Sequence, residues 1–179
     1  MSIYSLLIGK WIGLDGAELT KVVRAGLLHD IGKHKIPLEI LNKSGKLSKE
    51  EFNIVKTHTT IGYEMSESIS NIDDDIRKAI LSHHEREDGS GYPYGLKGDK
   101  INIIAKILAI ADVYDALTSE RVYKDKSTPF EAIEEFRNMG THLFDTHMLK
   151  VFFENIINYY VDAKVITNYG NVGKIVYIP

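Results

Sequence analysis

No cysteine occurs in the 179 residues, which excludes a disulfide scaffold, thiolate-ligated zinc and thiol catalysis, and agrees with a cytoplasmic setting. An excess of one charge is also missing. With 22 Lys and Arg against 25 Asp and Glu, the formal net charge of −3 offers no basic field for a nucleic acid polymer. Long hydrophobic runs are lacking too: Ile101 to Val113 and Val151 to Ile157 are interrupted by Lys106 and Glu154. Both fall short of the ~20 residues a bilayer crossing needs, so no membrane span is expected in this chain. The N-terminus has neither a basic region nor a small-residue cleavage site and does not read as a signal peptide. Its abrupt amphipathic opening reads instead as a helix entered partway along. What remains is an ordinary globular composition, 44% hydrophobic and 26% charged, of one-domain length. A chain this long buries about 70% of the surface its unfolded form exposes, so a metal is not needed to hold the core and any metal serves chemistry.

Apolar residues recur at three and four from Ile3 to Ile12 and from Ala17 to Leu28, with Gly13, Asp15 and Gly16 between, predicting two helices. Ile36-Pro37 is a break. Ser48 with Glu51 forms a capping box that opens a third helix through Phe52, Val55 and His58. Asp73 or Asp74 caps another, carrying Ile76, Ala79, Ile80, His83 and His84. Arg86 to Asp99, with four glycines and one proline, is a loop of a length that is usually functional or disordered. Then Ile101, Ile104, Leu108, Asp112 and Asp115 share one helical face, so two carboxylates continue an apolar stripe. Thr128-Pro129 with Glu131 opens a helix that Gly140 ends, and a last helix runs from about Thr146 to Tyr160. Only Val165 to Thr167 and Lys174 to Ile178 read as strands. The expected fold is all-α, a helical bundle over 1–160, with a short β extension over 161–179 that is incomplete at Pro179.

His29, Asp30, His58, His83, His84 and Asp112 fall on four separate predicted helices, each at or beside the face its apolar neighbours mark as buried. Taken singly, a helix-end His paired with a carboxylate, or one core and one surface His, explains each of them. Jointly they need a common partner, because buried His and Asp must be paired or metal-bound. Imidazole and carboxylate without sulfur suit Fe, Mn, Zn or Ni, and six protein ligands are more than one hydrolytic ion takes while keeping an open position. Two divalent ions are the expected count, with Asp30 bridging and a spacing of ~3.5 to 4 Å suited to displacement at phosphorus by a bridging hydroxide. His34, His142 and His147 lack such support and read as surface or capping residues.

Four runs of sequence carry a resemblance: LLHDIGKHKIP from Leu27, HHEREDGSGYP from His83, GLKGDKI from Gly95 and ADVYDALTSERVYK from Ala111. In order and spacing they resemble the HD-GYP branch of the HD phosphohydrolases, over essentially Ile3 to Phe153. The resemblance implies an HD-domain helical bundle and a bacterial cyclic di-GMP phosphodiesterase with a two- or three-metal centre, yielding linear pGpG or GMP. It also implies a sensory or receiver domain in the parent protein. The metal ligands it implies are His29, Asp30, His58, His83, His84 and Asp112, with Fe or Mn ahead of Zn or Ni. Lys33 matches the lysine that touches the scissile phosphate, where it would stabilise charge on the non-bridging oxygens, and with Asp30 forms the expected catalytic pair. Gly91, Tyr92 and Pro93 would supply the substrate wall, Asp115 would position Lys33 or meet substrate, and Arg121 and Lys124 would meet phosphates.

The chain also departs from the family pattern. No His precedes His29 to match the family's upstream ligand, the acidic residue joining a third metal is absent, and Val122 stands where the motif has Pro. An alternative expectation follows, a degenerate module that binds nucleotide or partner proteins without catalysis. A homodimer through the N-terminal helix is a further expectation.

Overall fold

Side-chain caps written into the sequence start many of the helices. The structure, a computed structural model, describes residues 1–119, 128–167 and 169–176. Its helices are α1 (Ser2–Trp11), α2 (Gly16–Leu28), α3 (Leu38–Leu41), α4 (Lys49–Lys56), α5 (His58–Glu67), α6 (Asp74–Ser82), α7 (Ile103–Thr118), α8 (Pro129–Met139) and α9 (Thr146–Asn158). Short 3-10 turns lie at Ile31–Lys35, Gly98–Lys100 and Thr141–Leu143. Strands β1 (Lys164–Ile166) and β2 (Val172–Lys174) pair antiparallel with Val165 opposite Gly173. Reciprocal capping boxes start α2 (Asp15 with Glu18), α4 (Ser48 with Glu51) and α8 (Thr128 with Glu131). The fold is therefore all-α with a small C-terminal hairpin, and no described helix is long and apolar enough to cross a membrane.

Helix α7 is the axis of the core. It buries Ile104, Ala105, Ile107, Leu108, Ala109, Ile110, Ala111 and Tyr114, far more than one stripe. The reason is that α1, α2, α6 and α8 all pack on it, and a helix enclosed on most sides is apolar on most sides. Tyr114 shows the packing: Tyr4 from α1 and Phe152 from α9 meet it edge-on, with ring centroids 4.9 and 5.0 Å away.

Several boundaries correct the sequence reading. The expected third helix is two, because α4 ends at Lys56, where the Thr57 hydroxyl donates to the Ile54 carbonyl at 2.6 Å, and α5 starts at His58. The break at Ile36-Pro37 is present, but short helical pieces that the sequence reading did not include flank it, a 3-10 turn at Ile31–Lys35 and α3. Helix α6 stops at Ser82, so His83 and His84 stand just past its end. Helix α7 starts at Ile103, two residues late, because the Asn102 side chain caps it by accepting from the Ile104 amide at 2.8 Å. Helix α9 ends at Asn158; β1 has the expected three residues but starts one earlier, at Lys164, and β2 runs Val172–Lys174 rather than onward from Lys174, with Tyr177 and Ile178 outside the described residues.

Candidate metal centre

Helix ends do most of the positioning. His29 is the C-terminal cap of α2 with Asp30 next to it, His58 opens α5, His83 caps α6, and Asp112 projects from within α7. Three of these histidines share one local device, in which the ring Nδ1 meets the carbonyl three residues back. His29 pairs with Gly26 at 2.9 Å, His58 with Val55 at 2.6 Å and His83 with Ile80 at 2.7 Å. Carbonyls at a helix end lack an onward intrahelical partner, so the ring satisfies one of them at each site. For His58 and His83, with the proton on Nδ1, the Nε2 lone pair is left facing inward, as a metal-binding histidine requires, whereas Nε2 of His29 meets the Asp30 carboxylate.

The inward atoms form two donor sets that share Asp30. Donor atoms of Asp30, His58, His83 and His84 all lie within 4.8 Å of one another. Asp30 Oδ1 faces this group, 3.4 Å from His58 Nε2 and 4.0 Å from His83 Nε2. Its other oxygen, Oδ2, faces away, 3.1 Å from His29 Nε2, which is itself 3.9 Å from Asp112 Oδ1. One carboxylate thus addresses three imidazoles through one oxygen and a His-Asp pair through the other. Asp30 Oδ1 is buried without any hydrogen-bond partner among the described residues, an orphaned anion oxygen that a cation would satisfy. The residues fit divalent metal: nitrogen and oxygen donors, no sulfur, and an unsatisfied carboxylate oxygen at the shared point.

Burial keeps the imidazoles in the form that donates lone pairs. It lowers the proton affinity of His58, drives His83 well below the usual histidine value, and brings His84 down to about 3. His29 differs: burial would lower it, but the hydrogen bond and charge of Asp30 outweigh that and raise it. Burial would likewise raise Asp30, yet His29 and the Lys33 ammonium hold it far below the usual carboxylate range.

Lys33 reaches back from the 3-10 turn to place Nζ 2.7 Å from Asp30 Oδ2. That turn packs tightly on α5: a Cβ on Gly32 would lie 2.0 Å from the His58 carbonyl oxygen, so only glycine lets the His29-Asp30 turn approach His58. On the other side of the cluster Tyr92 lies against His84, with centroids 4.7 Å apart and planes 30° apart, and its amide donates to the His84 carbonyl at 3.3 Å. Burial raises the Tyr92 phenol, so it stays a neutral hydroxyl. Gly91 is threaded against the backbone of residues 84–86, where a Cβ would come within 2.4 Å of Glu85 Cα. Pro93 follows Tyr92 through a cis peptide.

Sequence reasoning missed Glu85. This carboxylate is 2% exposed and accepts from the amides of Tyr94 and Leu96 at 2.8 and 2.9 Å, fixing the loop that carries Tyr92. A charged residue between a His pair and a glycine-rich loop gives no periodic sign of burial; the only available signal was its place directly after His84. Arg86 was missed as well. Its guanidinium donates to the Glu85 carbonyl at 2.9 Å and lies over the Phe144 ring, 5.4 Å from its centroid. Lys106 adds a third tie from α7, 2.8 Å from Glu87 in the loop and 3.4 Å from Asp145, the cap of α9.

Asp115 is not joined to Lys33 as expected; its Oδ1 accepts from the Met1 ammonium at 2.8 Å. Arg121, Val122 and Lys124 lie outside the described residues. His34, His142 and His147 are exposed and away from the cluster.

Comparison with known proteins agrees with this picture. The chain is 40% identical over 151 residues to a cyclic di-GMP phosphodiesterase of Pseudomonas aeruginosa, covering 84% of this chain and 36% of that protein. It is 42% identical over 146 residues to a cyclic di-GMP phosphodiesterase response regulator of Xanthomonas campestris, covering 81% of this chain and 39% of the relative. A 3′3′-cGAMP-specific phosphodiesterase of Vibrio cholerae is 36% identical over 156 residues, 87% of this chain and 30% of the relative. The chain thus spans well under half the length of these curated relatives. Among solved structures, an HDGYP protein from Bdellovibrio bacteriovorus superposes with a TM-score of 0.71 at 20% identity, over 87% of this chain and 50% of that one, which speaks for the fold alone. The HD domain family matches residues 1–148. With the His29-Asp30 pair at the centre of its donor sets and the Gly91-Tyr92-Pro93 loop folded over them, the chain belongs to the HD domain family.

Proposed function

We propose that this chain is a metal-dependent phosphodiesterase that hydrolyses cyclic di-GMP to linear pGpG, to GMP, or to both. The observation that carries the proposal is the division of Asp30, one oxygen toward His58, His83 and His84 and the other toward His29 and Lys33. In this reading His58, His83 and His84 would hold one divalent ion and His29 and Asp112 a second, with Asp30 available to both. Fe, Mn, Zn and Ni are all compatible with these donors, and the family resemblance favours Fe or Mn. When bound, such ions supply Lewis acidity, lowering the pKa of a water and neutralising phosphoryl charge.

The protein's own groups supply the rest. The carbonyls of Gly26, Val55 and Ile80 orient the imidazoles before any ligand arrives, so no reorganisation is needed later. Lys33, half exposed with its ammonium at Asp30, meets the non-bridging oxygens of the scissile phosphate and stabilises charge that grows there as the bond breaks. Tyr92, held by Glu85 through the loop, offers a neutral hydroxyl and a ring to one nucleotide while covering His84. Gly91 and Pro93 shape that wall, and Asp115, Arg121 and Lys124 complete the substrate contacts.

The names of the relatives, phosphodiesterases of cyclic di-GMP and of 3′3′-cGAMP, support a cyclic dinucleotide substrate. That one of them is a response regulator supports a receiver or sensory domain in the parent protein, a cytoplasmic setting and a signalling role. The test is chromatographic product analysis after incubation of the metal-reconstituted chain with cyclic di-GMP. Linear pGpG or GMP is the expected result. Tight binding without product would instead identify the non-catalytic module.

A further inference from the structure

Among the described residues, none of α3 or α4 is buried. Even so, the segment from Ile40 to Val55 turns Ile40, Leu41, Leu47 and Val55 inward, where with Lys33 and Lys43 they line a cleft of about 420 Å³. Two ties place this cleft beside the metal centre. Lys33 forms one wall, and its ammonium is 2.7 Å from Asp30 Oδ2. Val55 forms another, and its carbonyl accepts from Nδ1 of His58 at 2.6 Å. A ligand whose anionic group rests at Lys33 therefore has the cleft within one side-chain length.

The chemistry of the walls selects the kind of group that enters. Four half-exposed aliphatic side chains lose contact with water when a flat ring slides between them, which is favourable and non-directional. Lys43 is held at the polar edge by Glu51, at 2.6 and 2.7 Å. The volume lies within the roughly 300 to 1,000 Å³ typical of small-molecule sites. A planar heterocycle on a sugar, joined to a phosphate, meets each of these conditions.

We propose that the cleft between α3 and α4 seats one nucleoside of the substrate, its base between Ile40, Leu41, Leu47 and Val55 and its phosphate at Lys33. This rests on the phosphodiesterase reading and extends it from the phosphate to the base. The site grips the ring by its faces, and the arm formed by α3 and α4 acquires the buried partner that the protein core does not give it.

The direct test is methyl NMR of the metal-loaded 179-residue chain titrated with GMP, and separately with inorganic phosphate. GMP is expected to shift the methyl signals of Ile40, Leu41, Leu47 and Val55, and phosphate to leave Ile40, Leu41 and Leu47 unmoved. Identical responses to the two ligands overturn the proposal. Kinetics give a second, independent reading through Leu41→Trp, which fills the cleft, and Ile40→Ala, which widens it. Each should raise KM for cyclic di-GMP by about tenfold with kcat within about twofold. Neither should alter hydrolysis of methyl p-nitrophenyl phosphate, a diester without a nucleoside. Equal KM for cyclic di-GMP in all three proteins overturns the cleft assignment while leaving the phosphodiesterase reading standing. If the metal-loaded wild type turns over neither diester, that reading fails, and the GMP titration still decides whether the cleft takes a nucleotide.

Discussion

At the residue scale the site is governed by where protons sit. His29, His58 and His83 each meet the carbonyl three residues back through Nδ1, which turns their Nε2 atoms toward Asp30 before any ion binds. The identity of these residues was legible in the sequence, because His and Asp recurring on apolar faces of separate helices have few ways to be satisfied. Their division into two donor sets was not, since it depends on how the two oxygens of Asp30 are turned. Asp30→Asn replaces one of those oxygens with a donor, and elemental analysis should find less than half the wild-type metal. Lys33→Ala should leave metal content unchanged and lower kcat about 10²-fold, the usual loss when one stabilising donor is removed from a developing charge. A parallel loss of metal would assign Lys33 a structural task instead.

At the scale of elements, loops and helix ends matter more than helix faces. The glycine-rich loop was recognisable from its composition, but its anchor was not: Glu85 is buried because two backbone amides close on it, a contact made only after the chain has turned back. Glu85→Gln keeps the volume and leaves one of those amides poorly matched, costing about 1 to 3 kcal/mol. Thermal denaturation should show the loss, and a raised KM for cyclic di-GMP with intact metal content would show that Tyr92 has lost its alignment. The break between α4 and α5 has a related origin. Local signals favoured one continuous helix through His58, whereas the close approach of Gly32 to the His58 carbonyl sets α5 on its own path. Gly32→Ala should force that contact apart at a cost above about 3 kcal/mol, read as a sharp fall in melting temperature together with loss of metal.

For the whole molecule, stability and metal binding are linked. His58, His83 and His84 take protons less readily folded than unfolded, so the unfolded chain gains protons first as the pH falls. Their contribution is complete above the ordinary histidine value of 6.5 and is lost progressively below it, down to about 3 for His84. His29 runs the other way, stabilising below 6.5 and losing that effect as the pH rises through its raised value, but it is one group against three. Asp30, whose folded value is depressed, loses its contribution progressively as the pH falls through the ordinary 3.8 and below. In chelator, the melting temperature should therefore fall steadily between pH 7 and pH 4, measured by calorimetry; a rise over that range would contradict the assignment. Each metal ion at about 100 times its Kd should stabilise the fold by about 2.7 kcal/mol, which raises the melting temperature by roughly 5 to 10 °C per ion for a chain of this length.

The sequence by itself determined the fold class, the main helices and which His and Asp residues face one another, because periodicity, capping boxes and the pairing needs of His and Asp are local chemistry. Tertiary structure alone decided that α7 is enclosed on nearly every side, that Asp115 meets Met1 rather than Lys33, and that Glu85 pins the loop. Each of these depends on which distant groups the packed chain brings within hydrogen-bond reach. A one-dimensional pattern records what a residue needs, and only the folded chain determines which neighbour supplies it.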